Sequence, residues 1–464
     1  MRGLSFVLLL LWQALPAQAA PRLAFEAQLE FVDERAQLRL DACSAESTEV
    51  LVWRADLGRP ADLIRVQRSS EADVEWRGDR LLTRNWQAGE CLQLLINLQA
   101  IAERDRWRLG YRADRFVRVA LGAWLWRPEA IHADSTMRFA QPEGWAVSAP
   151  WPADDEGVRR LGSTPAHWPA TVAWWRGKEQ RIAIRGGELR LAVLPTMDAP
   201  PPQLDIWMRR TVDNLLTSAP RWPVGSTQVL LVPLPEVRSP VPWGQVTRGG
   251  AAAVHLFLGA AVSESERLAD WTATHEFAHL LHPFMGDRGR WLAEGMASYY
   301  QNVARARSGE LSAARAWDKL RAGFRRGEQA TPEGAATLAG TSRQRRRGST
   351  MRIYWSGAAF WLQTDLALRA KGSSLDQLLA QFAQRHLPSV ALWSPDAFIA
   401  ALARLSDDTA GLEPRFRRYQ ARQDFPDLAE IFADDAALDW PSDRLDPRLL
   451  SILRADQPGS ASAP

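Results

Sequence analysis

The chain has 464 residues, 46% of them hydrophobic and 24% charged. That balance excludes a disordered or collagen-like polymer and leaves length for two or three domains. The 57 basic and 54 acidic residues are interspersed and give a net charge of +3; the cations are arginine except for Lys178, Lys319 and Lys371. No one-signed field of the kind that nucleic acid needs is present, so nucleic acid is not an expected partner.

The first residues read as an export signal. Arg2 precedes an apolar run from Leu4 to Trp12, then come Pro16 and Ala17-Gln18-Ala19. This is the charged, apolar and small-residue order of a secretory signal peptide over 1–19, with cleavage near Ala19. The apolar run is too short for the roughly 20 residues that span a bilayer. The expectation is an exported protein, periplasmic or secreted, without stable membrane insertion. In an oxidising compartment the two cysteines, Cys43 and Cys91, are expected to form one structural disulfide.

Residues 20–194 read as a β-rich, β-sandwich-like N-terminal domain. Leu23, Phe25, Ala27, Leu29 and Phe31 alternate with Ala24, Glu26, Gln28 and Glu30, the pattern of a half-buried strand. Asp33-Glu34-Arg35 turns the chain back through Leu38 and Leu40. At the end of this part, Ile182, Ile184, Leu189, Leu191 and Val193 flank Gly186-Gly187, which predicts a hairpin with a two-residue glycine turn. Residues 195–203, with Pro200-Pro201-Pro202, read as a stiff linker.

Residues 204–440 form the expected catalytic domain. A helix is predicted over Leu204–Ser218, strands over Gln228–Val232 and Val254–Leu258, and mostly helix from Ser263 onward. Residues 441–464 are left as a C-terminal tail, polar and Pro/Gly/Ser-rich from Asp456. The run Arg343-Gln344-Arg345-Arg346-Arg347 reads as a solvated loop face, and the 22 tryptophans as packing residues.

Three of the seven histidines, His275, His279 and His282, fall within eight residues. Ser263 and Glu266 form a capping box and Pro283 a stop, which together predict one helix of about five turns. His275 and His279 stand at i and i+4, on one face, and can share a tetrahedral metal. Glu276 is placed beside them, able to reach a water rather than the metal; this is the H-E-x-x-H arrangement of zinc peptidases. His282 lies about 10 Å further along the axis, too far to join the same metal. It is read as a residue at the helix C-terminus or behind the ligands. A metzincin would carry Gly at 282 and His at 285, where this chain has His282 and Met285, so that class is rejected.

After the turn Gly286–Gly289, Trp291-Leu292-Ala293-Glu294-Gly295-Met296 opens another helix. Returning antiparallel, it brings Glu294 opposite the histidines as third ligand, and two imidazoles plus one carboxylate leave an open position, as catalytic zinc requires. One zinc ion is therefore the expected cofactor. A strand over Ala251–Leu258 is the expected edge along which an extended peptide pairs.

These residues resemble the gluzincin zinc metallopeptidases, above all the aminopeptidase N and glycyl aminopeptidase families. The resemblance rests on His275-Glu276-Phe277-Ala278-His279, on Trp291–Tyr300 and on Tyr354-Trp355-Ser356-Gly357, and covers roughly residues 205–385. It implies a thermolysin-like α+β catalytic domain, peptide or protein substrates, Glu276 as general base and Tyr354 as the group that stabilises the oxyanion. Three departures are visible. The segment between His279 and Glu294 is shorter than in the aminopeptidases. Trp243–Gly250 stands where those families carry a Gly-x-Met-Glu-Asn-like segment, and with it goes the glutamate that would grip a free α-amine. The PDZ domain common in the glycyl aminopeptidases is not read after the helices. The sequence leaves endopeptidase and aminopeptidase action open, with a catalytically inactive module that binds peptide or protein through its β domain as the rival reading.

Overall fold

A computed structural model describes residues 20–454, apart from 71–73, 106–107, 163–169, 196–202, 235, 250, 260–261, 345–347, 409 and 433–445. The expected signal peptide, most of the proline linker, three residues of the arginine run and the polar tail from Asp456 lie outside the described residues.

The first strand, Leu23–Val32, buries Leu23, Phe25, Ala27 and Leu29 and turns its alternate residues outward, as the period of two requires. Asp33 and Glu34, both with positive φ, make the hairpin turn into Arg35–Ser44. These two strands are central in a six-stranded sheet that also holds Cys91–Asn97 and Leu63–Arg68. Cys43 and Cys91 face each other directly across neighbouring strands and are bonded. A four-stranded sheet (Trp145–Ser148, Thr171–Arg176, Phe116–Ala120, Gly110–Ala113) and a three-stranded one share its core. Trp53, Trp86, Trp124, Trp126 and Trp174 fill that core, so these tryptophans are packing residues.

The second half is α+β. Its five-stranded sheet has the order Gln180–Ile184, Gly187–Val193, Ser226–Leu234, Ala251–Gly259, Trp243–Gly249. The helix Leu204–Leu216 supplies the crossover between the parallel pair Gly187–Val193 and Ser226–Leu234. One face of the sheet (Leu189, Leu191, Val229, Leu231, Val254, Leu256) packs on the helices. The other (Ala192, Leu230, Val232, Phe257) packs on Phe116, Ala173 and Trp175 of the four-stranded sheet. Burial on both faces explains why Val229–Val232 and Leu256–Leu258 read as apolar runs.

Four expectations need correction. The hairpin assigned to the N-terminal domain is hydrogen-bonded into the second sheet, so by pairing it belongs with residues beyond 204. Its turn is Arg185-Gly186; Gly187 is already in the strand, where an added Cβ would lie 2.1 Å from the Gly225 carbonyl oxygen. The strand Ala251–Gly259 is internal, and the edge is Trp243–Gly249, paired antiparallel to it. Within the expected tail, Pro447–Leu453 is a helix that buries Leu449 and Ile452, and Asp446 caps it.

Candidate active site

The expected long helix is broken. Ser263 and Glu266 do form the capping box, but they cap only Glu264–Ala269. Asp270 is extended, and its carboxylate accepts a hydrogen bond from the Thr272 N–H at 2.7 Å. A second helix, Thr272–Ala278, therefore starts at the motif itself and tightens into the 3-10 turn His279–Leu281. The break frees Trp271 to line the cleft, its ring nearly perpendicular to that of His275 with centroids 5.6 Å apart.

Glu294 sits in the first turns of the helix Arg290–Arg307. Its Oε2 is 3.3 Å from His275 Nε2 and 3.6 Å from His279 Nε2. One ligand atom from each of the three residues lies within 4.8 Å of the others. The hydrogen bonds behind the rings decide which nitrogens face inward. The Pro283 carbonyl can only accept, so His282 donates to it from Nδ1 at 2.8 Å and keeps Nε2 as an acceptor. Burial, then the nearby Arg248 charge, hold His282 well below the usual histidine range and hence neutral. His279 then donates its Nδ1–H to His282 Nε2 at 3.1 Å, and its own Nε2 lone pair is left for the cleft. His275 donates Nδ1–H to Gln301 Oε1 at 2.8 Å with the same consequence. Three electron-pair donors thus face one point, an arrangement that repels itself without a cation. Two imidazole nitrogens and a carboxylate, opening onto a cleft, fit zinc.

Glu276 is 7% exposed and points to the same cleft. Burial raises its pKa to about 7, with His275 and Arg248 opposing the shift and Glu294 adding to it. A carboxylate so placed holds and releases protons near neutrality. The edge strand presses on it: a Cβ at Gly244 would lie 2.4 Å from Glu276 Cγ, so only glycine fits there.

Tyr354 belongs to the helix Thr350–Arg369. Its ring stacks on His275 with centroids 5.8 Å apart, its hydroxyl is hydrogen-bonded to Glu294, and it lines the cleft of about 660 Å³. Burial, then the Glu294 charge, raise its pKa, so it stays protonated and able to donate. Two glycines bring the helices together. A Cβ on Gly357 would lie 1.9 Å from the Trp291 carbonyl oxygen, and one on Gly295 would lie 2.2 Å from the Gly357 carbonyl carbon. The glycine after Glu294 and the glycine after Tyr354 are therefore one contact seen from two sides. Tyr299 and Tyr300 point elsewhere, donating at 2.8 Å to Asp365 and Asp376 in the helical core.

All of His275, Glu276, His279, Glu294 and Tyr354 meet in this cleft. Sequence reasoning missed Gln301, Gly244 and Arg248. Gln301 had a signal, since it stands seven residues after Glu294, two turns along the same helix face. Gly244 and Arg248 had none, because the strand that carries them was not expected to be the edge.

The family of M61 glycyl aminopeptidases matches residues 281–364, a stretch that takes in Glu294 and Tyr354 and begins after His279. Among solved structures, an aminopeptidase N family protein from Idiomarina loihiensis aligns with a TM-score of 0.65 at 12% identity, over 88% of this chain and 77% of that one. The chain therefore has the fold of the aminopeptidase N family and resembles the gluzincin zinc metallopeptidases. An M1 zinc metallopeptidase from Deinococcus radiodurans aligns with a TM-score of 0.55 at 14% identity, over 88% of this chain and 95% of that one. A mutant of that protein bound to a Tyr-Ser-Ala substrate aligns with a TM-score of 0.53, also at 14% identity, with 88% of this chain and 95% of that one covered. No curated protein matches this chain by sequence.

Proposed function

We propose that the protein is an exported peptidase that holds one zinc ion on His275, His279 and Glu294 and hydrolyses peptide bonds with Glu276 as general base. The observation that carries this reading is the convergence of three lone-pair donors on one point, with the buried Glu276 at the same cleft. A zinc ion bound there supplies Lewis acidity to a water and to the scissile carbonyl. Glu276 takes the proton of the attacking water and passes it to the leaving amine, a task suited to a carboxyl whose pKa lies near 7. Tyr354 donates its hydroxyl to the oxyanion, a role worth about 10²–10³ in rate. An extended peptide pairs with the edge strand Trp243–Gly249, which brings its backbone past Gly244 and Glu276.

The catalytic domain of this proposal is 204–440 joined by the hairpin 180–193, with the β-sandwich before it as scaffold. Export rests on the residues up to Ala19 and fits the Cys43–Cys91 bond, which an oxidising compartment preserves. Among the described residues no helix is long and apolar enough to cross a membrane.

The test pairs metal analysis with hydrolysis of a mixed peptide library. The purified protein is expected to carry one zinc and to cleave peptides. Glu276→Gln keeps size and hydrogen-bonding capacity but cannot accept the proton, so it is expected to retain zinc and lose nearly all turnover. Turnover within a few-fold of the parent would remove Glu276 from the chemistry.

A further inference from the structure

Along the edge strand, Gly244, Val246 and Arg248 share the face that borders the motif helix, as alternation dictates. Gly244 touches Glu276. Arg248, some 13 Å further along the strand backbone, lies by the far end of the helix. Its guanidinium donates to the His279 carbonyl oxygen, and that is its one hydrogen bond among the described residues. The side chain is only 8% exposed, yet it lines the cleft. The carboxylate whose charge it feels is Glu276, and the two are not close enough to form an ion pair. Burial pulls its pKa down to about 10, so it remains cationic at neutral pH.

A guanidinium carries five N–H donors, and one carbonyl uses a small part of them. A buried cation without a paired anion is an unfavourable arrangement, and a folded chain keeps one where a ligand completes it. Capping the helix carbonyl does not need arginine, because a neutral amide also donates to a carbonyl, though less strongly than a cation. What the fork geometry adds is bidentate recognition of a carboxylate. Along the same wall Gly244 leaves room and Val246 is apolar, so neither competes for that anion.

We infer that Arg248 is a carboxylate-binding subsite, which selects peptides with a negative carboxyl group a few residues from the scissile bond. The inference rests on the peptidase reading and deepens it. The carboxylate comes either from the C-terminus of the substrate or from an acidic side chain, and two peptide pairs separate these sources.

Binding is measured by calorimetry on zinc-loaded Glu276→Gln protein, which is expected to bind without turning over. The first pair is N-acetyl-trialanine as free acid and as C-terminal amide. The second is an N-acetylated, C-amidated hexa-alanine in which one central residue is Glu or Gln. In one pair the carboxylate form is expected to bind on the order of 30-fold tighter than its neutral partner. Adding Arg248→Gln, which keeps a donor for the His279 carbonyl, is expected to bring that ratio to within about threefold. Arg248→Lys keeps the charge without the fork and is expected to weaken the preference without abolishing it; it decides the matter if the Gln variant does not fold. Equal binding of acid and neutral forms in both pairs overturns the inference. So does a preference that survives Arg248→Gln, or one undiminished in Arg248→Lys. Hydrolysis of library peptides by the parent enzyme with no carboxylate preference defeats this inference alone, whereas no hydrolysis of any peptide defeats the peptidase reading beneath it.

Discussion

Gln301 fixes the tautomer of His275, and His282 fixes that of His279, so each imidazole reaches the cleft already turned and with its lone pair free. Such partners tune a metal site without touching the ion. Gln301→Leu is nearly isosteric and removes the acceptor, so zinc affinity is expected to fall about 10–100-fold while the fold persists. Competition with a chelator, with circular dichroism as control, checks this; unchanged affinity would make Gln301 a packing residue. Tyr354 is tested by deleting its hydroxyl alone. Tyr354→Phe keeps the ring on His275 and is expected to lower kcat about 10²-fold, with little change in KM or Tm. Tyr299→Phe is the contrast, because its hydroxyl is bonded to buried Asp365. There the expected loss is of stability, on the order of 1 kcal/mol, with kinetics intact. A kinetically silent Tyr354→Phe would return that residue to a packing role.

At the scale of elements, the site depends on two helices crossing at bare backbone. The contact between Gly295 and Gly357 sets how near Glu294 and Tyr354 come to each other. Gly357→Ala forces a Cβ onto the Trp291 carbonyl, so the helices must separate. The expected outcome is destabilisation of about 1–3 kcal/mol together with weakened zinc retention, since Glu294 moves with its helix. Denaturant midpoints and metal analysis read the two effects; a variant as stable and as well metallated as the parent would refute the close crossing. The same elements show where the sequence was and was not readable. Of the five residues that meet in the cleft, His275, Glu276, His279 and Glu294 were legible because zinc chemistry restricts residue type and helical spacing restricts position, whereas Tyr354 came from the family resemblance alone. The break at Asp270 was not, because the capping box, the acidic residue and Pro283 are all compatible with one long helix. The identity of the edge strand was hidden for a related reason. Trp243–Gly249 is glycine-punctuated, half-buried and weak in period, while Ala251–Gly259 is apolar but for the buried His255. Apolar runs mark strands covered on both faces, and it was the covered strand that the pattern revealed.

The whole molecule is held by a sheet that serves two cores. Leu230, Val232 and Phe257 turn away from the helices and pack on Phe116, Ala173 and Trp175 of the β-sandwich. Arg190, fully buried in the hairpin strand, donates to the Ala149 and Pro150 carbonyls at 2.9 and 2.6 Å, and Gln228 donates to Ser148 at 3.0 Å. Each large apolar side chain buried in such a contact is worth roughly 1.5–3 kcal/mol, so several of them exceed what a sliding domain interface provides. The hairpin strand Gly187–Val193 also pairs along one side of Ser226–Leu234, which would otherwise be an exposed edge of apolar residues. The two halves are therefore expected to unfold together, as one calorimetric transition whose van't Hoff and calorimetric enthalpies agree. A fragment that begins at Leu204 loses the hairpin and the sandwich at once. It is expected to aggregate or to melt without cooperativity, and to hold zinc poorly, although it contains every residue of the site. A fragment beginning at Lys178 restores the strand pairing but leaves Leu230, Val232 and Phe257 uncovered, so it is expected to regain sheet structure while remaining prone to association. Two well-separated transitions in the full chain, or a Leu204 fragment that melts cooperatively with zinc bound, would show that the β-sandwich is an appendage and not the floor on which the catalytic sheet is built.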